Sequence, residues 1–236
     1  MKYRRILLKL SGEALSAGSG KLYDDAFIAQ IASNLRKCLD EGVQISVIVG
    51  AGNIWRGRQG TEMDRGRADE MGMLATVINS IALKDAFIRA GITARVMTAT
   101  HMEPFAEFFT ADAAIDAMEK GEIVIFGGGL GQPYFSTDTA ASLRAAQIQA
   151  DAILLAKNID GIYDRDPNGP DGKNAVKYDS ISCSTIISKK LHAIDLTAAA
   201  LNMESKIPSV AFALNEPENI LLVAKGNTVG TVITTD

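Results

Sequence analysis

The sequence has little of what metal sites, disulfide frameworks and membrane anchors need. Its 236 residues include two cysteines, Cys38 and Cys183, in no CxxC pattern, and two histidines in no metal-ligand spacing. A disulfide framework or a zinc site is therefore not expected, and a reducing compartment is the simpler interpretation. No apolar run approaches the roughly 20 residues of a membrane helix, and the apolar stretch 6–8 behind the basic N-terminus is too short for a signal peptide. We expect a cytoplasmic protein without a membrane anchor.

Two common nucleotide-binding motifs and a basic charge balance are also missing. The P-loop pattern GxxxxGK[ST] does not occur, because the glycine run 127–131 is followed by Gln132-Pro133 and no lysine. The dinucleotide spacing GxGxxG is absent as well. Lysine and arginine number 24 against 28 aspartate and glutamate, for a formal charge of −4, which is unlike a general nucleic-acid binder. Nucleic acid is not an expected partner.

What is present is an alternation of apolar strand-length and helix-length segments. The 47% apolar composition is enough for a sizeable core. Strands are predicted at 6–10, 43–49, 93–97, 123–126, 152–156, 210–213 and 229–233. Helices are predicted at 24–41, 69–90, 138–150, 185–190 and 195–206. This alternation predicts an α/β domain with a mostly parallel central sheet and helices on both faces.

Glycine-bearing turns follow three of the predicted strands, at 9–12, 50–53 and 127–131. In open parallel sheets, ligands bind at the carboxyl ends of the strands. Glycine there lets backbone N–H groups approach an anion, and a following helix adds its positive end. Each turn by itself could be a plain tight turn, but three of them with charged residues nearby favour an anion site.

A few charged or aromatic residues near these turns are candidates for chemistry. Lys9 ends an apolar strand, so it is either an edge-strand lysine that reaches solvent or a cation placed over transferring phosphates. Arg56 is either a solvated arginine or a forked phosphate contact. Asp138 and Asp195 begin predicted helices, where a carboxylate can be a cap or can hold magnesium or orient Lys9. Tyr163 follows a tight turn and could stack on a base.

Taken together, five segments resemble the bacterial UMP kinases (uridylate kinases) of the amino acid kinase family. They are KLSGEAL at 9–15, GAGNIWRG at 50–57, DEMGMLAT at 69–76, STDTAA at 136–141 and DGIY at 160–163. The segments occur in matching order, and the first and third separate UMP kinases from the carbamate, glutamate, aspartate and acetylglutamate kinases of the same fold.

The resemblance implies a fold, a reaction and an assembly. The implied fold is a three-layer αβα sandwich, with an acceptor-nucleotide lobe roughly at 1–150 and an ATP-binding lobe roughly at 151–236. The implied reaction is transfer of a phosphoryl group from Mg-ATP to UMP. The implied assembly is a homohexamer inhibited by UTP and, in many members, activated by GTP. The helix at 69–90 is apolar on more than one side, which also predicts an oligomer.

The resemblance also assigns site residues. Contacts to ATP phosphates are implied for Lys9, Leu10, Ser11, Gly12, Gly52 and Arg56. The adenine nucleotide is implied to lie against Tyr163 and Asp166, with Asn158 or Lys157 near the base. The UMP site is implied to consist of Ala51, Asp69, Leu130, Gly131, Gln132, Pro133, Tyr134, Phe135, Ser136 and Thr137. The catalytic residues are implied to be Lys9, Arg56, Asp138 and Asp195, with Mg²⁺ carried by ATP near Asp138 rather than held by a dedicated set of ligands.

Some positions depart from the family pattern and leave alternatives open. Ala51 stands where many relatives have glycine, and Lys157-Asn158 replaces a commoner Thr-Lys or Thr-Asn pair. Arg95 keeps one basic position of GTP-activated relatives, whereas Gly121-Glu122 lacks the second, so the sequence does not decide GTP activation. Two other functions stay open: a kinase of the same fold with a carboxylate or carbamate acceptor, and a non-catalytic nucleotide sensor.

Overall fold

The computed structural model describes residues 1–55, 62–170, 172–191 and 194–236. Its strands are β1 (Arg5–Leu10), β2 (Gln44–Val49), β3 (Ala94–Thr98), β4 (Glu107–Phe108), β5 (Ile123–Gly127), β6 (Ala152–Lys157), β7 (Ile162–Tyr163), β8 (Lys177–Tyr178), β9 (Ser180–Ser182), β10 (Ser209–Ala213) and β11 (Thr231–Thr234). Nine of them form one sheet in the order β4-β3-β5-β2-β1-β6-β10-β11-β9, and β7 pairs with β8. Within the sheet, only the β10–β11 pair is antiparallel among the described strands. The predicted mostly parallel sheet is confirmed.

The α-helices are α1 (Asp25–Asp40), α2 (Arg65–Arg89), α3 (Ala111–Glu119), α4 (Thr137–Gln147), α5 (Cys183–Lys189), α6 (Leu196–Ser205) and α7 (Asn219–Lys225). Asp24 caps α1 and Asp195 caps α6 through their side chains, as residues of this type commonly do. The prediction that α2 begins at Asp69 is wrong, because Asp64 accepts from the Arg67 N–H and starts the helix one turn earlier. The sequence pattern missed α3, α7 and the short strands β4, β7, β8 and β9.

Two apolar layers cover the two faces of the sheet. One contains the buried faces of α1, α2 and α7, and the other contains those of α3, α4, α5 and α6. Along β1, Ile6, Leu8 and Leu10 point into the first layer, whereas Leu7 points into the second. This alternation follows from the two-residue period of a strand. The three-layer αβα fold is confirmed, and it directs the Lys9 side chain toward the layer that holds α4.

The order in which successive strands are added to the sheet reverses next to β1. After β1 the chain continues to β2 on one side, and β6 of the later half lies on the other side. Such a switch point opens a crevice at the carboxyl ends of two neighbouring strands, which is where doubly wound folds bind ligands. The crevice here is flanked by the end of β1 and the end of β6.

The helix α2 has two apolar sides. It buries Val77, Leu83 and Phe87, and it exposes a second set of apolar side chains, Met71, Leu74, Ile78, Ile81 and Ile88, by 39–53%. By length and composition it is the one described helix that could cross a membrane, although much of it is buried in the fold. The sequence expectation concerned uninterrupted apolar runs, and this helix carries polar and charged residues such as Asn79, Lys84 and Asp85 between its apolar ones. The core helix of a soluble protein meets the same criterion of length and composition.

Candidate active site

The first two glycine turns form one surface at the carboxyl ends of the strands. They follow β1 and β2, which are neighbours in the sheet. A Cβ atom on Gly12 would lie 2.5 Å from the Gly50 carbonyl oxygen and 2.6 Å from the Gly52 nitrogen. Only glycine allows the two turns to approach this closely. This contact brings the two turns together, and the anion site that the sequence predicts at the glycine turns stays a prediction.

The third turn, 127–131, is held by α2 and offers fewer donors than expected. The Gly128 N–H donates to Thr76 Oγ1 at 2.9 Å, and the Gly131 N–H donates to the Gly128 carbonyl at 2.9 Å. Gly128 and Gly131 have φ angles of 77° and 71°, which favour glycine. Because these two N–H groups already have partners, an anion cannot use the whole loop as a cradle.

Lys9 forms an ion pair with Asp138 at the switch point. The distance from Lys9 Nζ to Asp138 Oδ1 is 3.0 Å, and the two side chains are 14% and 17% exposed. The interpretation of Lys9 as an edge-strand lysine is wrong, because β1 is the fifth of nine strands. Burial by itself would raise the pKa of Asp138, but the positive charges of Lys9 and Lys157 hold that pKa below its ordinary value. Asp138 is therefore a carboxylate at neutral pH.

Asp195 connects the N-termini of α4 and α6. One oxygen accepts from the Ala198 N–H at 2.7 Å, and the Thr139 hydroxyl lies 3.0 Å from both oxygens. The Ser136 hydroxyl also donates to Asp195, while the Ser136 Oγ accepts from the N–H groups of Asp138 and Thr139. The cap of α4 is thus Ser136, and not Asp138, for which the sequence left a capping role open. Asp195 holds the first turn of α4, and with it Asp138, in place.

A cavity of about 480 Å³, called here the Asp138 cavity, opens beside this ion pair. It is lined by the predicted acceptor-site residues Ala51, Asp69, Leu130, Gln132, Tyr134, Phe135, Ser136 and Thr137, and also by Gly52, Asp138 and Asp195. Its size is in the range of small-molecule sites. Gly131 and Pro133 belong to the same loop but are not among its lining residues in the part of the chain that the structure describes.

Asp69 lies in the second turn of α2 and faces the Asp138 cavity. Its Oδ2 accepts from the Tyr134 N–H at 2.9 Å and lies 3.8 Å from the Arg65 guanidinium. Tyr134 has a φ angle of 72°, which is costly for a tyrosine. The Arg65 guanidinium also stands 4.6 Å over the Tyr134 ring. Asp69 and Arg65 therefore stabilise the strained loop that forms one wall of the cavity.

A second cavity of about 290 Å³, called here the Tyr163 cavity, lies beyond the end of β6. Its lining includes Lys157, Tyr163 and Asp166, all predicted to bind the adenine nucleotide. The Tyr163 hydroxyl donates to Asp160 Oδ1 at 2.7 Å, which fixes the ring. Asn158, the alternative base contact, lines a separate neighbouring cavity that also includes Tyr163. A further depression of about 720 Å³ at the opposite end of the sheet contains none of the predicted site residues.

Several predicted residues, Gly12 among them, are not among the described residues that line the two cavities. Arg56 lies outside the described residues. The Leu10 side chain is buried in the α1 layer, and its carbonyl accepts the Gly50 N–H at 3.0 Å. The Ser11 carbonyl accepts the Ala14 N–H at 3.1 Å and so starts a short 3₁₀ helix, Glu13–Ser16. Lys9 is not among the described residues that line either cavity. Its ammonium pairs with Asp138, which does line the Asp138 cavity.

Sequence reasoning missed Asn79, the residue that connects α2 to the second glycine turn. Its side chain is fully buried. The Asn79 amide donates to the Gly50 carbonyl at 2.7 Å and to Asn53 Oδ1 at 2.8 Å. Its oxygen accepts from the Tyr23 hydroxyl at 2.9 Å. An asparagine on the buried side of an apolar helix is the signal that could have identified it, since a buried amide needs partners.

The side chains of this site suit a metal ion that arrives with a ligand. Among the described residues there is no cluster of three or more histidine, cysteine, aspartate or glutamate side chains. Asp138 Oδ1 is buried and lacks a well-directed hydrogen bond from the described residues, although the Lys9 ammonium lies 3.0 Å away. Magnesium commonly takes one or two carboxylates plus phosphate oxygens and water. The residues present fit a divalent metal held mainly by nucleotide phosphates, with Asp138 nearby.

Comparisons with known proteins place this arrangement in a family. The uridylate kinase of Limosilactobacillus reuteri (strain DSM 20016) is 48% identical over 239 aligned positions, covering 100% of this chain and 99% of that protein. The solved UMP kinase from Bacillus anthracis matches with a TM-score of 0.93 and 34% identity over 99% of this chain and 97% of its own. The uridylate kinase from Archaeoglobus fulgidus matches with a TM-score of 0.72 and 28% identity over 97% of this chain and 99% of its own. The model of the amino acid kinase family matches residues 4–223, and the chain belongs to that family.

Proposed function

We propose that this protein transfers the γ-phosphoryl group of ATP to UMP, giving UDP and ADP, in pyrimidine nucleotide biosynthesis. The observation that carries the proposal is the Lys9–Asp138 ion pair at the switch point of the sheet. Asp138 lines the Asp138 cavity, and the Tyr163 cavity lies beyond the end of the neighbouring strand β6. The choice of UMP is supported by relatives named uridylate kinase that match along the full chain.

The proposed transfer is direct and in line. An oxygen of the UMP α-phosphate forms a bond to the γ-phosphorus while the bond from that phosphorus to the β–γ bridging oxygen breaks, and the electron pair leaves with ADP. The attacking oxygen is already anionic, so no general base is required. Positioned positive charge is what the reaction needs most. Lys9 supplies such a charge, and Mg²⁺ carried by ATP supplies further charge neutralisation when it is bound.

The two cavities suit the two proposed substrates. In the Asp138 cavity, the Asp69 carboxylate is an acceptor suited to ribose hydroxyls and poorly suited to phosphate. In the Tyr163 cavity, the Tyr163 ring is fixed by Asp160 and offers a flat surface to a base. We assign UMP to the first cavity and ATP to the second, which corresponds to an acceptor lobe at 1–150 and an ATP lobe at 151–236.

Product analysis tests this proposal. The purified protein is incubated with Mg-ATP and UMP, and the nucleotides are separated by ion-exchange chromatography. We expect UDP and ADP in equal amounts. Parallel reactions with CMP and with small carboxylic acids test the other kinases of the fold. A protein that binds ATP yet releases no ADP with any acceptor would instead be the non-catalytic sensor.

Regulation and assembly are part of the proposal. UTP shares its uridine with UMP, so it is expected to compete for the Asp138 cavity and inhibit. GTP is the second proposed effector, but Arg95 makes two hydrogen bonds to Glu122 and lies 3.5 Å from Glu107, and a GTP phosphate would have to displace these carboxylates. The exposed apolar side of α2 supports a homohexamer. We place the protein in the cytoplasm.

A further inference from the structure

Asn79 uses every hydrogen-bonding position of its side-chain amide at the second glycine turn. Its Nδ2 donates to the Gly50 carbonyl at 2.7 Å and to Asn53 Oδ1 at 2.8 Å. Its Oδ1 accepts from the Tyr23 hydroxyl at 2.9 Å and from Asn53 Nδ2 at 3.1 Å. An amide has two donor and two acceptor positions, so all four are occupied. Because a reversed amide would set the oxygens of Asn79 and Gly50 against each other, these bonds fix the orientation of the Asn79 side chain.

The bond from Asn79 to Gly50 sets the direction of the peptide group between Gly50 and Ala51. A trans peptide is planar, and its carbonyl and N–H point to opposite sides of the chain. With the Gly50 carbonyl held on Asn79, the Ala51 N–H points away from Asn79. Among the described residues, no group accepts a hydrogen bond from the N–H of Ala51 or of Gly52. Both residues line the Asp138 cavity, so these two donors are what the turn can offer to a ligand there.

The helix α2 is a rigid support for this turn and for the third one. Thr76 and Asn79 lie three positions apart and therefore on one face of the helix, and both are buried. Thr76 Oγ1 accepts from the Gly128 N–H at 2.9 Å, so two neighbouring side chains of one helix hold two glycine turns. The same helix buries Leu83 and Phe87 completely in the core. The second turn is thus fixed relative to the core for as long as the contact from Asn79 is present.

Loss of the Asn79 amide would free this peptide group to rotate. Glycine at position 50 tolerates a wide range of backbone angles, and its carbonyl would have no partner from α2. Rotation turns the Gly50 carbonyl oxygen toward the side that now carries the Ala51 N–H. An anion would then meet an oxygen in place of a hydrogen-bond donor, whereas an uncharged part of a ligand would be little affected. The Asn79 contact therefore matters most for a phosphate.

We propose that Asn79 is a positioning residue for the phosphate of the acceptor nucleotide. It holds the peptide group of Gly50 and Ala51 so that the N–H groups of Ala51 and Gly52 face a phosphate in the Asp138 cavity. Tyr23 acts one step further out, because its hydroxyl holds the amide oxygen of Asn79. The inference rests on the proposed kinase activity, in which this cavity takes UMP. It adds a residue of α2 that is not among the described residues lining either cavity.

The test replaces Asn79 by leucine, which has a similar size and no polar group, and Tyr23 by phenylalanine, which loses only the hydroxyl. Asn202→Leu is the matched control. Asn202 is also a buried helix asparagine, but it donates to Ser209 Oγ at 3.2 Å. Ser209 begins β10, at the end of the sheet opposite to the Asp138 cavity. Both leucine variants are expected to have a lower Tm, so Tm alone does not separate positioning from packing.

Binding of UMP and of uridine separates the two roles, because these ligands differ only in the phosphate. Trp55 is the only tryptophan and lines the Asp138 cavity, so its fluorescence can follow binding without ATP or turnover. A hydrogen bond to a charged group typically contributes a factor of roughly 10 to 100 in affinity. We expect Asn79→Leu to weaken UMP binding about 10-fold or more and uridine binding less than about twofold. Tyr23→Phe should show a smaller loss of the same kind, and Asn202→Leu no loss for either ligand.

The remaining outcomes distinguish this inference from the proposed function. Equal weakening of UMP and uridine binding, or no weakening of UMP binding, in a folded Asn79→Leu protein would overturn the inference. If that variant does not fold, as judged by circular dichroism, Tyr23→Phe decides by the same comparison. A wild-type protein that binds UMP more tightly than uridine but makes no UDP would refute the kinase activity, and the variants would still decide the inference. A wild-type protein that binds neither ligand would refute both.

Discussion

Replacing Lys9 by methionine is the perturbation that bears most directly on the proposed mechanism. Methionine keeps most of the side-chain volume in apolar surroundings and removes the charge. Lys9 Nζ lies 3.0 Å from Asp138 Oδ1, and neither side chain is more than 17% exposed. At an effective dielectric constant of about 20, a pair at this distance attracts by roughly 5–6 kcal/mol before the cost of desolvation. Lys9→Met therefore removes a substantial charge–charge interaction from the site.

The effect on stability is smaller than that figure. Removing one partner of a buried ion pair typically costs about 3–5 kcal/mol, because the other charge remains buried. Here the charge of Lys157 still lowers the pKa of Asp138, so we expect a loss of about 1–3 kcal/mol in the free energy of unfolding. For a chain of this size that corresponds to a fall in Tm of roughly 2–12 °C. The variant stays folded at 25 °C.

The effect on turnover is larger. One preorganised charge contact contributes about 3–4 kcal/mol to the transition state, so kcat is expected to fall on the order of 100- to 1,000-fold. ADP release is followed in a coupled assay and UDP by chromatography. The double variant Lys9→Met with Asp138→Asn removes both charges of the pair, and it is expected to regain Tm without regaining turnover. That result would separate the catalytic role of Lys9 from its structural one.

Near-normal kcat in a folded Lys9→Met protein would refute the reasoning, because it would show that the transfer centre does not use this charge. Recovery of turnover in the double variant would refute it as well, since Lys9 would then act only by holding Asp138. Circular dichroism and a thermal scan on each variant establish that the comparison is made between folded proteins.

Three further predictions use other parts of the structure. Asp69→Asn is expected to raise the KM for UMP several-fold more than the KM for ATP, and a change confined to ATP in separate titrations would contradict the assignment of the Asp138 cavity. Burial raises the pKa of Cys38 and of Cys183 to about 11, so at pH 8 only about one thiol in 1,000 is ionised. A chromogenic disulfide reagent is therefore expected to react with neither thiol in the native protein and with both in urea. Fast labelling of the native protein would contradict this prediction. Light scattering should give a mass several times the 25.1 kDa of one chain, reduced by Leu74→Glu with Ile78→Glu, whereas a 25.1 kDa wild type would rule out the proposed assembly.

The sequence by itself determined the elements whose signal is local. Continuous apolar runs identified the central strands to within one or two residues, because strands buried on both faces read as such runs. The charged end of β1 and the glycines after β1, β2 and β5 marked the edge of the sheet at which the Asp138 cavity lies. Short elements such as β7 and α7 carry too few residues for a periodic pattern, so their existence depends on what they pack against.

Only the tertiary structure decided how distant residues share the site. Lys9 and Lys157 are 148 positions apart in the chain. Both place positive charge near Asp138, because β1 and β6 are neighbours in the sheet. Asp195 and Asp138 are both acids at the start of a helix in the sequence. Their roles separate only in three dimensions, where hydroxyl and N–H donors engage Asp195 and lysine charges surround Asp138. Sheet order and side-chain environment are properties of the packed fold, and no local pattern of residues encodes them.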